Sequence, residues 1–306
     1  MKKFFILLTS HFLLFTSLHA AQSEGTTSGI LLRMGGNARS YAMGEAYGAT
    51  AQDATSLYFN PAALGHLEGG SLDLMHAVHI NPIYFDNIAF AYPVGYGNLG
   101  VGLQYLSYGK LDEVDNTGTN TGSSISPKDM ALTATYAGRV VSPFLTVGAS
   151  VKYLQSTIKN TATAFAGDVG FLYKINNSVP VGLAVQNLGT GLKFNNETDS
   201  LPLNVRASAA FRPKEPLLLA VDINYPAKGV ATASIGAEYK IQLTQDLALA
   251  PRLGVNTRTQ SSGLGALSML SFGFGIGSQS HSFDYSLNSL GDLGITHRFS
   301  LSLKFP

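Results

Sequence analysis

Four carboxylates stand at strand-like positions among cations: Asp168, Asp222, Glu238 and Asp284 beside Lys152, Arg206, Arg252 and Arg298. Paired carboxylates could do general acid–base work, but mixed charges on one wall more often form a structural network, which is the preferred reading here. His76 and His79 are three apart, which in a strand puts them on opposite faces and argues against shared metal ligation. Asp112-Glu113-Val114-Asp115-Asn116 could bind calcium weakly, though its spacing misses the EF-hand pattern and a solvated loop is the better expectation. Gly273-Phe274-Gly275-Ile276-Gly277 places glycine at alternate strand positions, which suits packing rather than a nucleotide. G-x-S-x-G, H-E-x-x-H and G-x-x-x-x-G-K do not occur. No catalytic, cofactor or metal residues are therefore expected, and the chain reads as a non-enzyme.

The elements that carry these residues have period two. Ile295, His297, Phe299, Leu301, Leu303 and Phe305 alternate with Thr296, Arg298, Ser300, Ser302 and Lys304. Residues 203–211 and 231–241 repeat the pattern, giving each segment one apolar and one polar wall. Similar runs fall near 71–79, 83–93, 99–108, 129–138, 145–155, 163–175, 181–188, 217–225, 247–257, 268–277 and 281–289. The total is about fourteen strands, each close to the roughly 9–11 residues that cross a bilayer. Pro251 inside one of them removes a ladder donor and signals a bulge or a shifted boundary.

Composition fits a membrane barrel. Charged residues make up 13% of the 306, against roughly 25% for a soluble domain. There are 33 Gly, no Cys and no Trp. Missing Cys excludes disulfides, thiolate chemistry and a lipoprotein anchor, and a net charge of +1 argues against nucleic acid. Met1-Lys2-Lys3 followed by an apolar stretch to Leu18 and the small Ala20 reads as a secretory signal peptide over residues 1–20.

Short links at 95–98, 141–143, 176–180, 214–216 and 242–246 alternate with longer ones at 109–128, 156–162, 189–200 and 257–267. That asymmetry matches periplasmic turns and external loops, with the link at 226–230 short and uninformative. Tyr105, Tyr108, Tyr136, Tyr153, Tyr173, Phe211, Tyr225, Tyr239 and Phe305 sit near segment ends, where interfacial girdles lie. The expectation is an all-β, antiparallel transmembrane barrel over 70–306 in the bacterial outer membrane. Its N-terminal segment, 21–69, associates with the lumen as a plug or cap. Asn60, Pro61 and Gly65 punctuate a short helix there, as N-cap, first residue and stop.

Ala38-Arg39-Ser40, Met43-Gly44-Glu45-Ala46-Tyr47, Asp53-Ala54 and Asn60-Pro61-Ala62-Ala63-Leu64 resemble the N-terminal signature of PorV/PorQ-type outer-membrane proteins. Gln186-Asn187-Leu188-Gly189-Thr190-Gly191-Leu192-Lys193-Phe194 with Leu201-Pro202 is similar to that family's mid-barrel loop and strand. The family sits within the wider FadL-like superfamily. Asn37 and Ala63 depart from it, standing where the signature usually has Gly, and Pro306 follows the terminal aromatic residue. The resemblance implies structural roles for Arg39, Met43, Gly44, Asn60, Pro61, Asn187, Gly189 and Pro202, with Phe305 as the C-terminal assembly signal. Its implied partners are outer-membrane lipid, the barrel assembly machinery, secretion components and exported proteins. The implied function is holding or shuttling exported proteins in type IX-like secretion. The alternative, from the superfamily, is passive transport of hydrophobic small molecules, which needs an apolar cavity and a sideways break in the ladder. A purely structural or adhesive role remains.

Overall fold

The computed structural model describes residues 27–306 apart from 81, 195, 215 and 263, so the signal-peptide reading lies outside the described residues. Fourteen antiparallel strands close into one barrel. They are β1 Gly70–Ile80, β2 Ile83–Val94, β3 Gly97–Ser107, β4 Lys128–Arg139, β5 Leu145–Thr157, β6 Thr161–Asn176 and β7 Val179–Gly189. The second half is β8 Asn204–Phe211, β9 Leu217–Pro226, β10 Thr232–Tyr239, β11 Ala248–Asn256, β12 Leu270–Gly277, β13 His281–Ser289 and β14 Ile295–Phe305. Closure runs from Gly70↔Phe305 to Val78↔His297, which joins the first strand to the last.

Burial runs opposite to that of a water-soluble protein. On β14, Ile295, Phe299 and Leu301 are 52%, 40% and 41% exposed, while Thr296, Arg298 and Ser300 are buried. The same inversion recurs around the wall, which makes the outer surface a continuous apolar band suited to lipid. Among the described residues no helix is long and apolar enough to cross a membrane; the strands do the crossing.

Pro251 lies within β11 without disturbing its register to β12, where it faces Phe274. On the other side β10 stops at Tyr239 and a short continuation, Ile241–Gln242, resumes beyond Lys240. The register is the same on either side of this interruption, which lies opposite Pro251, a residue with no N–H to give the ladder. Lys240 is exposed at this interruption.

Two link expectations need correction. The link expected over 156–162 is only a three-residue turn, because β5 and β6 extend to Thr157 and Thr161. The 109–128 link is not structureless, since Leu111–Val114 and Asn120–Ile125 pair as a hairpin above the barrel. There Asp115 accepts from Thr117 and Thr119, and these hydrogen bonds, with the Thr117 hydroxyl first, hold its carboxyl below the usual range.

Residues 27–69 thread the lumen from the loop end to the turn end. Ser28 N–H donates to Ser200 O near the loops, and Asn98 donates to Leu64 O at the other end. Between them lie a 3-10 helix at Ile30–Arg33, α1 at Ala38–Ala42, and 3-10 helices at Ala54–Tyr58 and Pro61–His66. The Asn60 side chain caps the last of these as expected, accepting from Ala62 N–H. Gly65 does not stop it: the helix runs to His66, and Gly65 is buried where a Cβ would meet Thr146 at 3.1 Å.

Candidate functional site

The turn-end half of the lumen is solid. Met43, Tyr47, Leu57, Phe59 and Leu64 pack against Leu172 and Leu218 of the wall. Around them a charge network ties the segment to the strands. Arg39 makes two 2.8 Å bonds to the Glu238 carboxylate, and Arg252 bridges Glu238 and Asp284 at 2.6 Å each. Burial opposes the Arg39 charge, but Glu238, Tyr47 and Asp53 together outweigh it and raise the guanidinium pKa well above its ordinary value. Arg206 meets Asp222 at 2.8 Å, and Asp222 also accepts from the Tyr47 and Gly48 N–H groups. Tyr47 O–H donates to Asp53 at 2.5 Å; burial pushes its phenol well up, so it stays a neutral donor. The lumen carboxylates are thus engaged as a lining network. Among the described residues there is no cluster of three or more metal-ligating side chains.

The remaining signature residues serve the same seating. Gly44, at φ 63, lies where a Cβ would meet the Val255 backbone at 2.7 Å, so only glycine fits both the turn and the approach. Met43 packs against Gly236. Asn60 also donates to Phe171 O, and Pro61 lies over Gly148. Phe305 closes β14 facing lipid and stacks against Phe90 and Tyr92. His76 faces outward beside Asp86, whereas His79 lines the lumen. Tyr108 is no girdle residue: its hydroxyl donates to Asp129 and its ring packs on the inner cluster.

One place in the wall is irregular. Between β6 and β7 the register slips from Gly167↔Leu188 to Val169↔Val185, so Gln186 and Asn187 together face Asp168. Asn187 adopts φ 62 and turns inward. Its N–H donates to Asp168 at 2.7 Å, its Oδ1 accepts from Lys152 at 2.8 Å, and Lys152 lies 2.6 Å from Asp168. Above this bulge β7 has no ladder partner on its other side, because pairing with β8 ends at Gln186↔Asn204. What bridges the two there is Asn187 Nδ2 donating to Pro202 O at 3.1 Å. Pro202 has no N–H to return. Gly189 is pressed against β6, where a Cβ would meet Ala166 Cα at 2.9 Å.

The loop-end half is hollow. A cavity of about 510 Å³ is lined by apolar Ile30, Met34, Val230, Met269 and Leu290, with Arg33, Glu45, Arg258 and Arg298 among the polar groups. A smaller hollow of about 50 Å³ shares Arg33, Met34, Glu45 and Arg258 and continues to Gln186, Asn187 and Pro202, the inner side of the irregular seam. The charge pattern of the sequence singled out Arg298, and the family resemblance pointed to Asn187 and Pro202. Both missed Tyr41, Arg258 and Met269, and passed over Glu45 although it stands inside the Met43–Tyr47 signature.

No protein-family model matches this chain, and no curated protein does. Solved structures do. The Pseudomonas putida toluene transporter TodX superposes with a TM-score of 0.60 at 14% identity, covering 88% of this chain and 96% of that one. The Ralstonia pickettii toluene transporter TbuX gives 0.57 at 15%, covering 89% and 99%. A Pseudomonas aeruginosa FadL homologue gives 0.57 at 10%, covering 89% and 98%. At such identities the likeness is one of fold alone.

Proposed function

We propose that the protein is a non-enzymatic outer-membrane channel that passes hydrophobic small molecules. The loop-end cavity carries this reading: it is roomy, partly apolar, and continuous with a hollow that reaches the seam between β7 and β8. The turn end is packed shut, so the route from the cavity runs sideways through that seam, where Asn187 and Pro202 hold the wall with one side-chain bond. Outside the seam lies Leu188, an outward apolar residue 66% exposed, so a hydrophobic solute leaving there meets lipid rather than water. Toluene transport is what the neighbouring structures are named for, which agrees with this chemistry.

The secretion reading, put first by the sequence resemblance, draws on signature residues that are occupied elsewhere. Met43, Gly44, Asn60 and Pro61 are buried in seating the lumen segment, and Arg39 is bound to Glu238. Such residues fit a shared barrel interior better than a surface that holds cargo.

Toluene uptake into lipid vesicles tests the channel. Vesicles carrying the purified barrel should take up toluene faster than protein-free vesicles of the same lipid. Equal rates would refute the channel, and recovery of exported proteins with the barrel from detergent extracts would favour secretion.

A further inference from the structure

The loop-end cavity is electrically lopsided. Arg33, Lys228, Arg258 and Arg298 line it, against a single carboxylate, Glu45. Glu45 is already bound to Arg258 and accepts from Asn256 at 3.2 Å. Arg298 is a buried cation of this lining with no carboxylate in direct contact among the described residues. It projects inward from β14 and is 3% exposed. One nitrogen donates to Asn288 at 2.6 Å, and the guanidinium lies over the Tyr41 ring at 3.6 Å from its centroid. The Nε–H is buried with no acceptor, and so is Nδ1 of His79 on the same cavity wall.

A buried charge without a counter-ion is unfavourable, and an unmet buried donor adds to the cost. A ligand that brings an anionic oxygen to Arg298 would remove both costs on binding. The rest of the lining says what that anion is attached to. Met34 and Met269 offer thioethers, which contact aromatic ring edges favourably, and Ile30 and Leu290 complete an apolar side. A volume of about 510 Å³ falls in the range of small-molecule pockets.

We propose that the cavity is a binding site for small aromatic carboxylates, with the carboxylate on Arg298 and the ring against Met34, Met269 and Leu290. This deepens the channel reading and rests on it, making an aromatic acid the preferred solute over a neutral hydrocarbon. Arg298 is then a specificity residue, and Tyr41 holds its guanidinium in place from the opposite face.

The experiment compares benzoate with benzamide, an uncharged ligand of nearly the same shape, by calorimetric titration of the detergent-purified barrel near pH 7. Benzoate should bind at least about tenfold more tightly than benzamide. Arg298→Gln should abolish that preference, and Arg298→Lys, which keeps the charge, should restore part of it. Equal affinity for the two ligands in the unaltered protein overturns the proposal, and so does a folded Arg298→Gln barrel that still prefers benzoate. The unaltered protein's ratio decides even where Arg298→Gln does not fold. Toluene uptake, measured separately on vesicles, reads the channel: uptake without benzoate preference removes this site and leaves the channel standing, whereas benzoate preference without uptake removes the channel.

Discussion

Lys152 and Asp168 sit on adjacent strands with side chains 3% and 0% exposed. Neither has water to fall back on, so each is compensated by the other and by Asn187. Removing one partner leaves a buried charge, which costs about 3–5 kcal/mol, whereas removing both with apolar groups of similar size is often neutral. Lys152→Met should therefore lower the unfolding free energy of the detergent-folded barrel, read by urea titration, by an amount in that range. Lys152→Met with Asp168→Leu should recover most of the loss. A single variant as stable as the unaltered protein would mean that the pair does not hold the bulge. The same pair keeps Asn187 in its left-handed turn, so the single variant should also increase toluene leakage at the seam, read in the vesicle assay.

The Pro61–His66 helix shows how an element too short to stand alone is held. A helix of six residues has almost no intrinsic stability. It is fixed by the Asn60 cap, by Asn98 on its carbonyls, and by glycines at 148 and 170 that let it touch the wall. Asn60→Ala should cost about 1–2 kcal/mol, near the upper end for a cap because the bond to Phe171 O goes too. His66 adds a pH dependence. Burial, with Lys174 and Arg139 nearby, lowers its pKa from 6.5 to about 4. Between these values the unfolded chain binds a proton that the folded chain refuses, so stability rises with pH across that window and is fully present above 6.5. Melting temperature should fall from pH 6.5 to 4, and His66→Gln should flatten that part of the curve. Little of this element was legible beforehand beyond Asn60-Pro61, because its contacts come from glycines more than eighty residues away. The strands were legible because two-residue alternation is local and every strand repeats it. In the site, Arg298 was visible as a lumen charge, but its empty Nε depends on where Tyr41 and Asn288 fall in three dimensions. The bulge at Asn187 left only a small trace, two adjacent polar residues, Gln186 and Asn187, between the outward Val185 and Leu188.

At the scale of the whole molecule, the barrel is divided across its axis into a packed half and a hollow half, and the two make different transport predictions. Ions must travel the full length of the lumen, through the region filled by Tyr47, Phe59, Leu64 and the Arg39–Glu238–Arg252–Asp284 network. A hydrophobic solute needs only the hollow half and the seam above Gln186↔Asn204. Planar bilayers containing the protein should accordingly show ion conductance far below that of an open fourteen-stranded barrel, while toluene uptake persists. Opening the packed half should change one and not the other. A Cβ at Gly148 would meet the Pro61 carbonyl carbon at 2.5 Å, so Gly148→Leu must push the Pro61–His66 helix off its seat. Ion conductance should then rise several-fold with hydrocarbon uptake little altered. If uptake rises in step with conductance, solutes run straight down the lumen, and the lateral route through the β7–β8 seam is wrong. If conductance rises alone, the lumen segment is a permanent seal and the seam is the gate.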